Sequence, residues 1–435
     1  MNIKINAKNY AIKAHNGQLR KSEKSKPMII HQINVACILE ENGFDDNVIA
    51  AGYLHDVVED TEYTINDIKN EFGEDIASLV CSASEPDKSL SWEERKNHTI
   101  NSCSSLNLRH KAVIVADKIN NLEDLERLMF TEKDFDFSNF KRGLESQKWY
   151  YKTLCEKISF GEKHEIFNKF KKQVSKVFDN ACIEEKYLSN DRLLKLKELH
   201  YLKYEIKSLK NTLKKRPYVI EFTGTPRTGK TSIIKKLEEF FKKGGFKVFV
   251  IEEFTTSTYY KENLYKKLKN EYKNVVNTEI PKYVNKQLDE ALKRDSDIIL
   301  IDRSLFDRCI WIDRLYLKGG ISKEEVNNYY DKYIPLIKKK INTVVATYCD
   351  SETSMKRDYK ANLSLENRNF LNEKNINEYN VSLKNTIELL EKNNYQINFY
   401  DAVKSLEDLE YDITKNILNS MKEFYYKKFI KKYKN

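Results

Sequence analysis

A chain of 435 residues with 40% hydrophobic content can bury two cores, and its length suits two or three domains. The opening stretch has no apolar run of signal-peptide length and no window nears the ~20 apolar residues of a membrane span, so a cytoplasmic protein with no membrane partner is expected. Seven cysteines without a C-x-x-C pair exclude a zinc ribbon and a dithiol redox motif, and the net charge of +10 reads as lysines around sites for anionic small molecules rather than as a nucleic-acid footprint.

The first half has the apolar period of helices and few strand signals. "IIHQINVACILEENG" predicts a helix that opens beside His31 and stops at Gly43. "DDNVIAAGYLHDVVEDT" predicts another, with Ala51, Leu54, His55 and Val58 on one face and Glu59 one turn beyond His55. Asp56, Glu59 and Asp60 crowd the same stretch. Isolated ionised carboxylates on a core-facing helix cost several kcal/mol each, a penalty that a bound cation removes. Further ligands can come from "VIVADKINNLEDL", where Asp117 follows an apolar run and Asn121 lies one turn later on the same face. Two histidines with two carboxylates form a nitrogen–oxygen set suited to manganese, iron or zinc.

"AHNGQLRKSEKSKPMIIH", "AAGYLHDVVEDT", "FGEDIASLV", "SWEERK" and "ADKINNL" resemble the hydrolase domain of the RelA/SpoT family. The resemblance covers residues 1–180 and implies an all-α HD-domain fold that removes the 3′-pyrophosphate of guanosine tetra- or pentaphosphate. It implies Mn2+ held by His31, His55, Asp56 and Asp117, a catalytic acidic pair Glu59 and Asp60, and substrate contacts from Arg20, Lys21 and Asn121. A divalent cation there would activate water and polarise a phosphoryl oxygen, Glu59 and Asp60 could move the proton, and Arg20 could offer a planar fork to phosphate. His15 reads as structural, having no evident partner, and His98, His110, His164 and His200 carry no expected chemistry.

Residues 181–216 read as a helical connector, with Leu and Ile at helical spacing among Lys and Glu. The remainder, 217–435, opens with "YVIEFTGTPRTGKTSIIKKLEEFF", the strand, glycine loop and helix of a Walker A motif. Gly224, Thr225, Pro226, Arg227, Thr228 and Gly229 would wrap the phosphates of ATP, Lys230 would reach their oxygens, and Thr231 would bind Mg2+. "FKVFVIEEF", "DIILIDRSLFDR", "INTVVATYCD" and "YQINFYDA" predict four more strands alternating with helices, hence a parallel, doubly wound α/β sheet.

This half resembles nucleoside and nucleoside-monophosphate kinases of the thymidylate and deoxynucleoside kinase type. The resemblance puts Asp302 and Arg303 at the magnesium and acceptor side, with Glu252 or Glu253 as a base if the acceptor is a nucleoside. It makes "MKRDYKANLSLENR" a lid that carries Arg357 and Arg368. Pro226 and Phe254 depart from the usual pattern and leave the acceptor open. The tail "MKEFYYKKFIKKYKN" is expected to pack Phe424, Tyr425 and Ile430 on the α/β core. The whole reads as a bifunctional enzyme whose partners are small-molecule nucleotides, with a homo-oligomer left open. Two rivals remain: a hydrolase regulated by a non-catalytic ATP-binding module, and a nucleic-acid-directed repair or defence factor.

Overall fold

The computed structural model describes residues 2–20, 27–85, 89–131, 142–179, 189–211, 213, 216–361 and 372–433. It divides into two compact units, Met1–Tyr201 with Ser208–Leu213, and Leu202–Lys207 with Lys214–Asn435. None of the described helices is long and apolar enough to cross a membrane.

The first unit is built from α1 (Ile3–Ala14), α2 (Ile29–Glu41), α3 (Asp46–Leu54), α4 (Val57–Asp60), α5 (Ile65–Phe72), α6 (Glu74–Ala83), α7 (Trp92–Ser102), α8 (Leu108–Thr131), α9 (Gly143–Ile158) and α10 (Glu165–Phe178). Local chemistry sets many of the ends. Asp45 caps α3 through the Asn47 and Val48 amides, and Thr64–Asp67 and Ser91–Glu94 form capping boxes on α5 and α7. The apolar stripe Ile166, Phe167, Phe170, Val174 and Val177 turns α10 inward.

The single helix expected across Asp45–Thr61 is instead two, broken at His55–Asp56. That break lets the consecutive His55 and Asp56 both turn toward α2. Gly52 lets α3 come close enough, since a Cβ there would stand 2.7 Å from Leu39 and 3.1 Å from the Ala36 backbone. α11 (Asn190–Asn211) then carries the chain from one unit to the other.

The second unit is a five-stranded, wholly parallel sheet in the order β2-β3-β1-β4-β5, from β1 (Tyr218–Gly224), β2 (Val248–Ile251), β3 (Ile298–Asp302), β4 (Thr343–Tyr348) and β5 (Ile397–Asp401). The helices are α12 (Lys230–Lys243), α13 (Tyr265–Asn274), α14 (Ile280–Ala291), α15 (Leu305–Leu317), α16 (Lys323–Lys340), α17 (Ser351–Ala361), α18 (Glu373–Lys392) and α19 (Leu406–Tyr433). Alternation along the strands supplies both faces: Val219, Ile299, Ile301, Val344 and Ala346 join α14, α15, α16 and α18 in one core. On the other face Tyr218 meets Phe424 and Tyr425 of α19, with ring centroids 5.2 and 6.3 Å away. The tail thus packs on the sheet, although the Ile430 side chain lies outside what is described. β2 stops at Ile251, so Glu252 and Glu253 belong to the loop beyond it.

Candidate functional site

In the first unit four helices deliver four ligand-type side chains to one buried point. His31 comes from the first turn of α2, His55 from the end of α3, Asp56 from the start of α4 and Asp117 from the middle of α8. His31 Nε2 is 3.2 Å from His55 Nε2, 3.1 Å from Asp117 Oδ1 and 3.4 Å from Asp56 Oδ2. His55 Nε2 is 3.2 Å from Asp56 Oδ1. The opposite ring nitrogens are already committed: His31 Nδ1 donates to Asn120 Oδ1 at 2.7 Å, and His55 Nδ1 to the Gly52 carbonyl at 2.9 Å. In neutral rings both Nε2 lone pairs therefore face each other and two carboxylates.

Such an arrangement needs a positive charge at its centre. A proton supplies it on His55: burial opposes the charge, but the Asp56 carboxylate overrides it and carries the imidazolium up to about 9. His31 goes the other way, held neutral by burial and by the Arg20 charge. His31, His55 and Asp117 can each put one ligand atom within 4.8 Å of the others, as one cation requires. The donor set, two imidazoles and two carboxylates with outer hydrogen bonds fixing the tautomers, fits a divalent transition metal.

Around this point Asn121 donates to Asp117 Oδ1 at 2.6 Å, Lys118 to Asp117 Oδ2 at 2.6 Å, and Gln32 to Asp56 Oδ2 at 3.2 Å. Arg20 is largely shielded, with Nη2 on Asn121 Oδ1 at 3.0 Å and on Asp124 Oδ2 at 2.8 Å, while its Nε has no protein partner. Glu59 and Asp60 end α4 half-buried. Burial and the Asp56 and Glu85 charges raise the Glu59 carboxyl, which makes it a better proton acceptor near neutrality. The Glu85 amide holds Glu59 Oε2 at 3.3 Å, and the Glu85 carboxylate pairs with Arg95 and Lys96. His15 does have a partner: its Nδ1 is 2.8 Å from Gln18 Oε1, and Gln18 Nε2 donates to the Asp60 carbonyl at 2.8 Å. Lys21 lies outside the described residues.

In the second unit the loop from Gly224 to Thr231 turns from β1 into α12. Gly224 has φ +129° and a Cβ there would stand 1.9 Å from the Thr347 carbonyl oxygen, so glycine is required. Gly229 heads α12 in the left-handed region, and Arg227 is left-handed too. Lys230 folds into the loop, donating to the Thr225 carbonyl at 2.7 Å, the Gly224 carbonyl at 3.1 Å and Thr228 Oγ1 at 3.2 Å. Burial and the neighbouring Arg303 charge bring its ammonium down to about 8, the state of a lysine without a full anionic partner. Thr231 donates to Asp302 Oδ2 at 3.0 Å, a hydroxyl–carboxylate pair suited to Mg2+, and Asp302 Oδ1 is buried without a protein partner.

Thr225 donates to Asn380 at 2.6 Å, and the Pro226 carbonyl accepts from Ser354 at 3.0 Å. Arg227 Nε pairs with Asp358 at 2.6 Å, and Arg357 donates to the Ala402 carbonyl at 2.7 Å. Arg227, Gly229, Arg357, Ala402 and Leu406 enclose a cleft of about 200 Å³ beside the loop. Arg303 Nε is 3.7 Å from Glu253, its Nη1 is 3.8 Å from Asp307, and its guanidinium lies over the Tyr379 ring. Arg368 lies outside the described residues.

Several participants were missed in the sequence. Asn120 and Asp124 share the helical spacing of Asp117 and Asn121, a usable signal. Glu221, a carboxylate inside the apolar run "YVIEFTG", was another: it is fully buried on β1 and accepts the amides of Ser304 at 2.6 Å, Asp307 at 3.0 Å and Phe306 at 3.1 Å. It thereby fixes the start of α15 and the turn that carries Arg303.

These features define a class: a helical HD-type histidine–aspartate centre followed by a P-loop domain on a parallel sheet. The HD domain family matches residues 7–134 and an AAA domain family matches residues 219–392. Guanosine-3′,5′-bis(diphosphate) 3′-pyrophosphohydrolase MESH1 of Drosophila melanogaster is 40% identical over 119 residues, 27% of this chain and 66% of that protein. Its Xenopus tropicalis counterpart is 38% identical over 125 residues, 28% of this chain and 69% of that protein. The match thus spans about two thirds of the length of these relatives. A solved structure of deoxyadenosine kinase from M. mycoides with bound dATP is similar at 24% identity and a TM-score of 0.32, over 46% of this chain and 99% of that one. Through its first unit the chain belongs to the MESH1 family of guanosine-3′,5′-bis(diphosphate) 3′-pyrophosphohydrolases.

Proposed function

We propose that the first unit removes the 3′-pyrophosphate of guanosine tetraphosphate, guanosine pentaphosphate or a related nucleotide with the help of Mn2+. The facing Nε2 atoms of His31 and His55, 3.2 Å apart beside Asp56 and Asp117, carry this reading. A bound cation would supply an activated water and neutralise phosphoryl charge. Glu59, with its raised carboxyl, takes the proton of the attacking water, and Asp60 beside it assists the transfer. Arg20 and Asn121 bind and orient the phosphates; the unpartnered Arg20 Nε is available for one oxygen. Incubating the purified chain with guanosine tetraphosphate and Mn2+ should yield GDP and pyrophosphate, and an absence of both products would remove the reading.

For the second unit we propose ATP-dependent phosphorylation of a nucleoside. Walker residues Gly224–Thr231 with Thr231–Asp302 support ATP and Mg2+ binding. Lys230 leaves its loop carbonyls for the phosphates, and Arg357 in the adjoining cleft offsets charge on the transferring group. A nucleoside is preferred to a monophosphate because the arginines on the acceptor side are already matched: Arg303 by Glu253 and Asp307, Arg308 by Asp307, and Arg314 by Glu378. A second phosphate would have to displace one of these carboxylates, whereas Glu253 can accept a hydroxyl proton. Lys230→Ala should weaken ATP binding and transfer together, while Arg303→Ala should spare ATP binding and lose transfer. ATP binding without phosphorylation of any common nucleoside or monophosphate would favour a non-catalytic regulatory module.

A further inference from the structure

The acid pair of the first unit stands on very little helix. α4 is the single turn Val57–Asp60, and its N-cap residue Asp56 makes no side-chain cap bond. A first turn fixes more backbone dihedrals than its one hydrogen bond repays, so a helix this short is held by what it meets outside itself. Within it the Asp60 amide reaches the Asp56 carbonyl at 2.9 Å, and the Thr61 amide and hydroxyl close on the Val57 carbonyl at 3.1 and 2.6 Å. The Asp60 carbonyl, the last of the helix, is one of those that the helix itself cannot satisfy.

Gln18 satisfies it from 42 positions away, with Nε2 donating to the Asp60 carbonyl at 2.8 Å. The Gln18 carboxamide has one orientation that works. A carbonyl only accepts, so the NH2 faces Asp60, and Oε1 faces His15 Nδ1 at 2.8 Å. His15, 2% exposed at the end of α1, therefore carries a proton on Nδ1 and fixes the carboxamide in place. The backbone completes the fit: the Gln18 amide donates to the His15 carbonyl at 3.0 Å, the Met28 amide donates to the Gln18 carbonyl at 2.9 Å, and Leu19 bridges Pro27. Gln18 is thus anchored to both α1 and the residue that opens α2.

The Glu85 amide holds the same turn a second time, through Glu59 Oε2 at 3.3 Å. One clamp grips the backbone of α4 and the other grips a side chain that it carries. Proton transfer needs its carboxyl placed to within a fraction of an ångström, and a misplacement of about 1 Å can cost roughly 10²-fold in rate. Both polar atoms of the Gln18 side chain are committed, one to His15 and one to Asp60. Gln18 therefore acts on the reaction through Glu59 and Asp60 rather than on the nucleotide.

We propose that Gln18, oriented by His15, is a positioning residue for the hydrolysis: it caps α4 and so aims Glu59 and Asp60 at the attacking water. The proposal rests on the hydrolase reading above. Gln18→Met keeps the length of the side chain and removes both polar atoms. With guanosine tetraphosphate and Mn2+ it should lower kcat about 10- to 100-fold while leaving KM and the calorimetric Mn2+ affinity within about twofold. Hydrogen exchange of segment 57–61 should quicken in the same variant. In a Glu59→Gln background the change should cost at most about threefold, because the main group it aims is already lost. His15→Asn puts an amide nitrogen in the place of Nδ1, and the Nε2 that it removes has no partner, so kcat should stay within about threefold of the parent; His15→Leu should approach Gln18→Met. A parent chain that releases no pyrophosphate would remove the hydrolase reading itself. With an active parent, an unchanged kcat or unchanged exchange in Gln18→Met, an equal loss with and without Glu59, or a loss explained by weaker Mn2+ binding would overturn the proposal.

Discussion

Replacing Glu221 by glutamine probes how β1 holds the turn bearing Asp302 and Arg303. Burial raises the Glu221 carboxyl from 4.5 to about 7, with the three amide donors of α15 opposing the rise. The folded chain thus binds this proton more tightly than the unfolded chain. The stabilisation is fully present below about pH 4.5 and is lost as the pH rises through about 7; between the two limits it amounts to about 3 kcal/mol. Glutamine does not titrate. Its carboxamide oxygen can replace Oε1 and keep the Ser304 and Asp307 amides, but its NH2 then faces the Phe306 amide and leaves a buried donor unmade, at about 1–3 kcal/mol. Glu221→Gln should therefore destabilise the second unit at pH 5 and be neutral or stabilising at pH 8. Urea unfolding at both pH values, read by Trp311 fluorescence in a Trp92→Phe/Trp149→Phe background, measures the difference. A stability gap between variant and parent that does not change with pH would refute the assignment of a buried, proton-binding Glu221.

In the first unit, Asp56→Ala should abolish both hydrolysis and the rise in melting temperature on adding Mn2+, whereas Glu59→Gln should keep the thermal shift and lose about 10²–10⁴ in rate. Asn120→Leu takes the acceptor from His31 Nδ1 and should cost about 10–100-fold in metal affinity by calorimetry, with unchanged affinity counting against a tautomer-fixing role. Gly224→Ala should lose ATP binding and several kcal/mol of stability, because the new methyl group would collide with the Thr347 carbonyl; equilibrium dialysis with ATP and the urea midpoint would report both.

What the chain announces by itself is whatever contiguous residues encode. Five strands, the helices that bear His31 and His55, and the Walker loop were legible because alternation, helical apolar spacing and obligatory glycines act over a few positions. The residues of the histidine–aspartate centre were legible as types, since carboxylates on a core-facing apolar stretch demand an explanation in charge. Their meeting was expected through the family resemblance, and its geometry lies in the packing: His31, His55, Asp56 and Asp117 come from four helices, and the break at His55–Asp56 and the close α2–α3 crossing at Gly52 bring their ligand atoms together. Likewise Asn120 as the partner of His31 and Glu221 as the clamp on α15 are pairings across 89 and 83 or more positions. Periodicity assigns a side chain to a face, but which group waits opposite is decided by the packing of whole elements. A buried polar atom is satisfied or orphaned only by that packing, so the tautomers at the metal centre and the capped Asp60 carbonyl belong to the tertiary structure alone.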